Sequence, residues 1–423
     1  MPKIIHINKS IVTGGAAIAA YRLFVAQKKL GQFEYQFFSQ QNEKGYSEEG
    51  IITAGNGYLW DKMGLVRLAL EKFQFFFHEK NAGIRFQYSM GSTGIHLARY
   101  NLLEDADFYH LHWICQGFLS LKGLEFLFRK GKPVVWTLHD MWPFTGGCHY
   151  AGDCIRLDLG CGNCPLSRTS GENDISHKQC KDKEIIYRNQ KIVFVAPSRW
   201  MAQKARSSYL GKKMQIVVIP NALNTDVFAP LSMIEARKKI RLPEDGFCLL
   251  FGAANITEER KGFSLLLKAI EYLKNDFPEL SDKIYLAVFG KSRQQYRFPF
   301  PVYYFNYISN TEKLIALYNA ANVFLLPSLE DNLPNTVMEA LSCGTPVVAF
   351  RSGGVTDMVD HADTGYLVPT GNVREFAQRI ASVLSDEKYV IMKKKCREKV
   401  VENFSESAVV KKYDELYRQM MKR

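Results

Sequence analysis

The stretch 323-VFLLPSLEDNLPNTVMEALSCGTPVVAF-350 determines the fold class that this sequence predicts. Apolar runs at its two ends, 323–327 and 347–350, are typical of strands buried on both faces. Between them, Pro334 suits the first turn of a helix, while Gly344 and Pro346 suit its end. Strand, helix and strand in this order form the repeating unit of a parallel sheet, so the stretch predicts an α/β protein.

Two carboxylates lie around the start of this predicted helix. Asp331 follows Glu330 in the loop after the strand, and Glu339 lies within the helix, with no lysine or arginine between them. Ligands of parallel sheets bind beyond the carboxyl ends of strands, where helix N-termini attract anions. A ligand that carries phosphate and hydroxyl groups, such as a nucleotide sugar, would use both features. The alternative is that Asp331 caps the helix and Glu339 is solvated.

The alternation of strands and helices continues on both sides of this stretch and predicts two doubly wound α/β domains with a cleft between them. The first series has predicted strands at 3–8, 107–113, 133–140 and 192–198, and a helix at 16–31. The second series has strands at 247–255 and 284–290 and helices at 262–277 and 311–320. A connection at 217–230, rich in Pro and Asn, separates the two series. The predicted domains are 1–221 and 222–404, with an amphipathic helix at 405–423 that packs back on the first domain.

Size and composition favour a globular protein. The chain has 423 residues, of which 47% are hydrophobic and 23% are charged. No basic-then-apolar leader precedes the first predicted strand, and no apolar stretch reaches about 18 residues. These features predict a cytoplasmic protein, with peripheral contact at the inner face of the membrane as a further option.

The basic charge leaves several kinds of partner open. The formal net charge is +12, and a solvated surface, nucleic acid, an anionic membrane or a phosphorylated substrate would each fit it. The sequence contains no recognisable nucleic-acid-binding module, so no nucleic-acid partner is expected. The predicted helix 59–80 combines basic residues with aromatic ones and suits either a membrane surface or the core. Its aromatic residues include Trp60, Phe73, Phe75, Phe76 and Phe77.

Nine cysteines without a leader argue against a disulfide scaffold. Cys148, Cys154, Cys161 and Cys164 are concentrated in one Gly-rich segment, 146–165. Four thiolates satisfy tetrahedral zinc, and two residues between the last two cysteines is a usual chelating spacing. We therefore predict a structural zinc site, with two disulfides or four free thiols as alternatives.

Several polar or small residues follow predicted strands of the first domain. Gly14 and Gly15 lie between the first strand and its helix, where they would let a phosphate or a sugar approach the backbone. His112 lies at the tip of one strand, and His139 and Asp140 lie at the tip of another. The tip position predicts contact with a ligand, although a histidine in an apolar strand is commonly a core residue. His110 is expected to point to the other face or to lie deeper.

Taken together, these motifs resemble glycosyltransferase family four over nearly the whole chain. Its GT-B fold consists of two facing Rossmann-like doubly wound domains with an interdomain cleft. The stretches 110-HLHW-113 and 138-LHDMWPFTGGCHYAGDC-154 resemble a subgroup from bacterial surface-polysaccharide biosynthesis. The motif residues are Pro327, Ser328, Asp331, Glu339, Ala340, Leu341, Cys343, Gly344, Thr345 and Pro346; Pro220, Asn221, Asp226, Phe228 and Pro230; and Arg260, Lys261 and Gly262.

The resemblance implies sugar transfer from a nucleoside diphosphate sugar to a glycan or lipid-linked acceptor, with retention of configuration and no catalytic metal. It implies that Glu339 holds the ribose and that Asp331 contacts the transferred sugar. Asp331 stands where the family usually has a glutamate, so Glu330 is an alternative. Lys261 and Arg260 would neutralise the departing diphosphate.

The remaining implied roles complete the donor and acceptor sites. Many relatives have an arginine after a strand glycine, but here Ala253 follows Gly252, so Arg260 is expected to supply that charge. The donor site would also include Gly14, Gly15, Asn332 and Leu333. His112 would lie near the sugar and the acceptor, and His139 and Asp140 would face the acceptor. An epimerase or a phosphorylase of the same fold, or a nucleic-acid-binding protein, are the alternative functions.

Overall fold

The chain forms two compact units. The computed structural model describes residues 1–40, 48–256, 258–291 and 296–422. One unit comprises Met1–Ile219 with Val410–Arg423, and the other comprises Pro220–Val409. The predicted division into domains 1–221 and 222–404 and a C-terminal helix 405–423 remains a prediction, and Arg423 lies outside the described residues.

In the described part of the first unit, a seven-stranded parallel sheet has the order β3-β2-β1-β4-β5-β6-β7. Its strands are β1 Lys3–Ile7, β2 Glu34–Ser39, β3 Ile51–Thr53, β4 Phe108–Leu111, β5 Val134–Thr137, β6 Ile192–Ala196 and β7 Gln215–Val218. Its helices include α1 Gly15–Leu30, α2 Tyr58–Phe76, α3 Leu121–Phe128, α4 Ile175–Tyr187 and α5 Arg199–Ser207. The strand order reverses between β1 and β4, which is where doubly wound sheets bind ligands.

The described part of the second unit has a six-stranded parallel sheet of order β10-β9-β8-β11-β12-β13. The strands are β8 Phe247–Asn255, β9 Ile284–Lys291, β10 Val302–Asn306, β11 Val323–Leu326, β12 Val347–Phe350 and β13 Gly365–Val368. The helices are α6 Met233–Ile240, α7 Phe263–Asp276, α8 Pro278–Ser281, α9 Thr311–Ala320, α10 Asn335–Ser342, α11 Val373–Leu384 and α12 Tyr389–Phe404. Here the order reverses between β8 and β11. The α/β class with two parallel sheets is therefore confirmed.

Burial explains why the strands read as continuous apolar runs. Every residue of β4, β5, β11 and β12 is buried, because helices cover both faces of a parallel sheet.

The final helix, α13, spans Glu406–Met421. Its Tyr413 hydroxyl shares a hydrogen bond of 3.0 Å with Thr137 of β5.

The element boundaries differ from the prediction in two places. Gly15 is the first residue of α1 and does not belong to the preceding loop. Val217 and Val218 lie in β7, although the sequence assigned them to the connection between domains. Their pairing with Val195 and Ala196 supplies the ladder hydrogen bonds that local composition does not predict. Every helix within the described residues is too short or too polar to cross a membrane.

Candidate functional site

A buried ion cluster lies at the carboxyl ends of β8 and β11 in the second unit. The Lys261 ammonium donates to Asp331 Oδ2 at 2.6 Å, and Arg260 Nη1 lies 3.5 Å from Asp331 Oδ1. Asp331 is 7% exposed. Burial alone would raise the pKa of Asp331, but the positive charges of Lys261 and Arg260 lower it below its usual range. The loop carboxylate is therefore ionised and paired.

Two glycines allow the segments of this cluster to approach each other. Gly262 has φ +67°, and a Cβ there would meet the Pro327 carbonyl oxygen at 1.8 Å. Gly353 has φ +55°, and a Cβ there would meet the Asp331 carbonyl oxygen at 1.8 Å. Only glycine combines this backbone conformation with so close a contact. The two glycines thus fix the loop that carries Asp331.

Arg260 holds the loop through its backbone as well as through charge. Its guanidinium donates to the Glu330 carbonyl at 2.6 Å and to Glu258 Oε1 at 2.9 Å. The Leu329 N–H donates back to the Arg260 carbonyl at 2.8 Å. The Arg260 and Lys261 side chains are 21% and 17% exposed, so they are not a solvated pair.

Glu339 is buried inside α10. It is 4% exposed, and the Tyr318 hydroxyl of α9 donates to its Oε2 at 2.7 Å. The N-cap of α10 is Pro334, and no side chain caps this helix. The alternative of a capping Asp331 and a solvated Glu339 is therefore wrong. No local sequence signal marks Tyr318, because it lies on another helix.

Other predicted donor-site residues are buried beside the ion cluster. Asn332 and Leu333 are each 5% exposed, and the Asn332 N–H donates to Asp331 Oδ1 at 3.2 Å. The Ser328 hydroxyl is buried without a hydrogen-bond partner among the described residues. A buried polar atom of this kind is favourable only if a ligand or water completes its bonding. The structure therefore brings Arg260, Lys261, Asp331 and Asn332 together.

The glycine pair of the first unit lies at the start of a helix. Gly14 is the N-cap of α1 with φ +95°, and a Cβ there would have no atom within 4 Å. Gly15 begins the helix. The open backbone leaves room for a ligand at this helix N-terminus, but its role in donor binding remains a prediction.

Three histidines of the first unit form a hydrogen-bonded chain. His6 Nδ1 and His112 Nε2 are 3.0 Å apart, and His112 Nδ1 and His139 Nε2 are 3.1 Å apart. His6 and His112 are buried, whereas His139 is partly exposed. His112 directly follows β4, as predicted, and both of its ring nitrogens are occupied. The sequence analysis missed His6, although its position near the end of the first strand could have indicated it.

His110 lies deeper on the same side as His112. Their rings stack with centroids 4.2 Å apart, so of the two alternatives for His110 the deeper position is confirmed and the other face is wrong. Residues two apart in a strand share a face. His110 bonds to the Tyr417 hydroxyl at 2.7 Å and to the Thr137 hydroxyl at 2.8 Å.

Four histidines of the first unit are electrically neutral near physiological pH, namely His6, His110, His112 and His139. Burial lowers the pKa of His6 to about 3 and that of His139 to about 4. Burial, with neighbouring histidines, lowers the pKa values of His110 and His112 well below the usual range. Within the described chain, His6, His110 and His112 are the group whose ligand atoms lie within 4.8 Å of one another. Because His110 and His112 already use both ring nitrogens, a metal there would have to displace existing hydrogen bonds.

Asp140 is engaged inside the first unit. Its Oδ2 accepts from His149 Nδ1 at 2.6 Å and from Trp113 Nε1 at 2.7 Å, and its Oδ1 accepts from the Trp142 N–H at 2.9 Å. Burial alone would raise the pKa of Asp140, but attraction and hydrogen bonding to His149, with the bonds from Trp142 and Trp113, lower it. These contacts favour a positioning role for Asp140, and its predicted contact with the acceptor stays a prediction.

The four cysteines of the predicted zinc site line one cavity of about 40 Å³. In the described chain, however, no three of their sulfur atoms lie within 4.8 Å of one another. Cys161 accepts from the Gly146 N–H at 3.1 Å. Its thiol is hydrogen-bonded to Cys180, which raises the pKa of Cys161 and lowers that of Cys180. Zinc binding would therefore require the sulfurs to draw together, and the site remains a prediction.

Solved structures identify the class of fold to which these two units belong. The sucrose-phosphate synthase of Thermosynechococcus elongatus matches with a TM-score of 0.66 at 20% identity, over 100% of this chain and 99% of its own. HepE of Anabaena, solved in complex with UDP-glucose, matches with a TM-score of 0.65 at 14% identity, over 99% of this chain and 100% of its own. The fold is GT-B.

Sequence comparison gives the family. The profile of Glycosyltransferase Family 4 matches residues 13–227, and that of Glycosyl transferases group 1 matches residues 232–403. The chain therefore belongs to glycosyltransferase family 4.

Curated relatives are similar at low identity. A D-inositol 3-phosphate glycosyltransferase of Kribbella flavida is 30% identical over 293 residues, which are 66% of this chain and 63% of that protein. The putative colanic acid biosynthesis glycosyl transferase WcaC of Escherichia coli is 26% identical over 264 residues, which are 59% of this chain and 61% of that protein. The chain thus spans less than two thirds of the length of these relatives.

Proposed function

We propose that the chain is a retaining glycosyltransferase that moves a sugar from a nucleoside diphosphate sugar to a glycan or lipid-linked acceptor in polysaccharide biosynthesis. The observation that carries the proposal is the buried contact of Lys261 and Arg260 with Asp331 at the switch point of the second sheet. Membership of family 4 and the role in colanic acid biosynthesis named for the E. coli relative support it.

The ion cluster suits the charge that develops during transfer. When the bond between the anomeric carbon and the diphosphate oxygen breaks, the electron pair leaves with the diphosphate. Fixed cations such as Lys261 and Arg260 stabilise this charge without reorganisation. The acceptor oxygen then bonds to the anomeric carbon on the face that the diphosphate leaves, and the proton of the acceptor hydroxyl passes to the departing diphosphate oxygen.

The pairing of Lys261 with Asp331 favours a donor that carries both phosphate and sugar. A phosphate alone would draw Lys261 away and leave the buried Asp331 next to a second anion, which is unfavourable. A sugar hydroxyl can replace the lysine as the donor to Asp331 while the diphosphate takes the cations. The Glu339 carboxylate would accept hydrogen bonds from the ribose hydroxyls.

A thermal-shift series with UDP, GDP and their sugars tests the proposal, because a ligand of the folded state raises the melting temperature. The sugar-bearing nucleotide is expected to raise it more than the matching nucleoside diphosphate at equal concentration. An assay with that donor and a candidate acceptor should then release nucleoside diphosphate. Phosphate-dependent cleavage without nucleotide release would identify a phosphorylase, and conversion of the sugar without an acceptor would identify an epimerase.

A further inference from the structure

Helix α2 carries an apolar stripe that faces solvent. Its members are each between 50% and 76% exposed, and at about 100° per residue they fall within an arc of about 80°. They are Leu59, Met63, Val66, Leu70, Phe73 and Phe77, which directly follows the helix. Tyr58, Leu65 and Phe76, also exposed, border the stripe on one side.

The inward side of α2 is fixed by tight and polar contacts. Gly64 is buried, and a Cβ there would meet Gln40 Nε2 at 2.3 Å. Glu71 and Lys72 are buried, and the Lys72 ammonium donates to the Tyr88 carbonyl at 2.8 Å. Turning the stripe inward would expose these groups and break their contacts. The helix therefore has the reverse of the usual arrangement, in which the apolar side faces the core.

Cations lie beside this exposed stripe. Lys62 Nζ lies 4.3 Å from the centre of the Tyr58 ring, and the Arg168 guanidinium lies 5.9 Å from that of Phe76. Arg168 also donates to the Phe77 carbonyl at 2.9 Å. Asp61, which is exposed, projects about 160° away from Leu59 around the helix. The apolar side therefore has basic neighbours.

We infer that this side of α2 docks on the surface of an anionic lipid bilayer. A helix with an apolar stripe flanked by Lys and Arg lies in the plane of the interface and buries the stripe among the acyl chains. Its 19 residues extend for about 28 Å along the surface. The net charge of +12 attracts the chain to anionic lipid and opposes association with a second copy of itself. The inference is independent of sugar transfer.

Co-sedimentation of the full chain with lipid vesicles, without nucleotide or acceptor, tests the inference. The chain should pellet with vesicles of phosphatidylcholine and phosphatidylglycerol, and much less with phosphatidylcholine alone. Leu70→Glu and Phe73→Glu should each lower the partition coefficient at least about tenfold, roughly 1.4 kcal/mol. Val390→Glu, at an exposed apolar residue of α12, is the matched control and should bind as the parent does.

Three outcomes would overturn the inference. One is a parent chain that stays in the supernatant with both vesicle types, and another is equal binding of both types. The third is unchanged binding by Leu70→Glu and Phe73→Glu. Sedimentation velocity without lipid adds a check: a dimer of the parent chain that Leu70→Glu disperses would assign the stripe to a second copy instead.

Discussion

The two units carry different charges at the same topological position: neutral side chains in the first unit and an ion pair in the second. At the switch point of the first sheet, His6, His112 and His139 form a neutral hydrogen-bonded chain. At that of the second, Lys261 and Asp331 form a buried ion pair. Parallel topology therefore fixes where side chains gather, but not whether they are charged.

This difference fits the two kinds of group that the proposed reaction must hold. Neutral imidazoles exchange hydrogen bonds with hydroxyl groups at little electrostatic penalty, whereas a diphosphate needs cations. We therefore assign acceptor hydroxyls to the first unit and the nucleotide to the second, as a proposal. Each of the following experiments tests this contrast.

The largest effect is expected in the charged site. Lys261→Ala and Glu339→Ala should each lower kcat/KM for transfer at least about tenfold, roughly 1.4 kcal/mol in the barrier. Lys239→Ala removes a lysine that pairs with Glu312 on the surface and should leave transfer unchanged. A folded Glu339→Ala chain with the kinetics of the parent would refute the assignment of the donor site.

His112→Ala should remove most of the transfer activity while nucleotide affinity changes little, since the histidine belongs to the first unit. Titration calorimetry with UDP and GDP measures the affinity, and steady-state kinetics measures the transfer. His96→Ala, at an exposed histidine, is the control for both. Loss of nucleotide binding in His112→Ala would show a structural role or a place in the donor site.

Acid should destabilise the first unit before the second. Unfolded histidines bind protons below about pH 6.5, while burial keeps His139 neutral down to about pH 4 and His6 to about pH 3. Stability should therefore fall as the pH drops from about 6.5 to about 4, by about 1.4 kcal/mol per unit for each such histidine. Asp331, whose pKa is lowered from 3.8, keeps its stabilising charge in this range and loses it only at lower pH.

Tryptophan fluorescence during denaturant unfolding can follow this loss, because all five tryptophans belong to the first unit. His6→Gln should reduce the pH slope, whereas the exposed His96→Gln should not. A free energy of unfolding that stays constant from pH 6.5 to 4.5 would contradict the neutral histidine chain.

Zinc would introduce a charged centre into the unit that holds the neutral histidine chain. Elemental analysis of chain purified without chelator should find about one zinc per chain, which Cys164→Ser loses and Cys396→Ser keeps. Lys183 lies close to Cys161 and Cys148, and burial lowers its pKa to about 8. Its ammonium group would offset the thiolate charge. Absence of metal, with every cysteine titrating as a free thiol, would end this hypothesis.

The smallest expected effect is the difference in transfer rate between variants of two adjacent carboxylates. Asp331→Asn should lower transfer more than Glu330→Gln, because Asp331 pairs with Lys261 whereas Glu330 meets Arg260 through its carbonyl. Kinetics of both variants under the same conditions measures the difference. The reverse order would place the sugar contact one residue earlier.

Local sequence predicted features that depend on neighbours along the chain. The helix from 335 to 342 and its buried flanking strands follow from apolar runs with Pro and Gly at the ends. The basic and aromatic content of helix 59–80 is also local, and it left a membrane surface and the core as alternatives. Which side of α2 faces the core does not follow from it, because apolar residues such as Phe75 and Phe73 occur on both sides.

The sequence by itself determined two parallel α/β sheets and the strand tips that carry polar residues, since both depend on short-range patterns of polarity. Only the tertiary structure decided which of those residues meet. Lys261 and Asp331 are 70 residues apart and His6 and His112 are 106 apart, yet the members of each pair lie within, or in the segments after, neighbouring strands. Strand order depends on the packing of the whole sheet. The burial and the partners that set the charge of each site therefore depend on that packing as well.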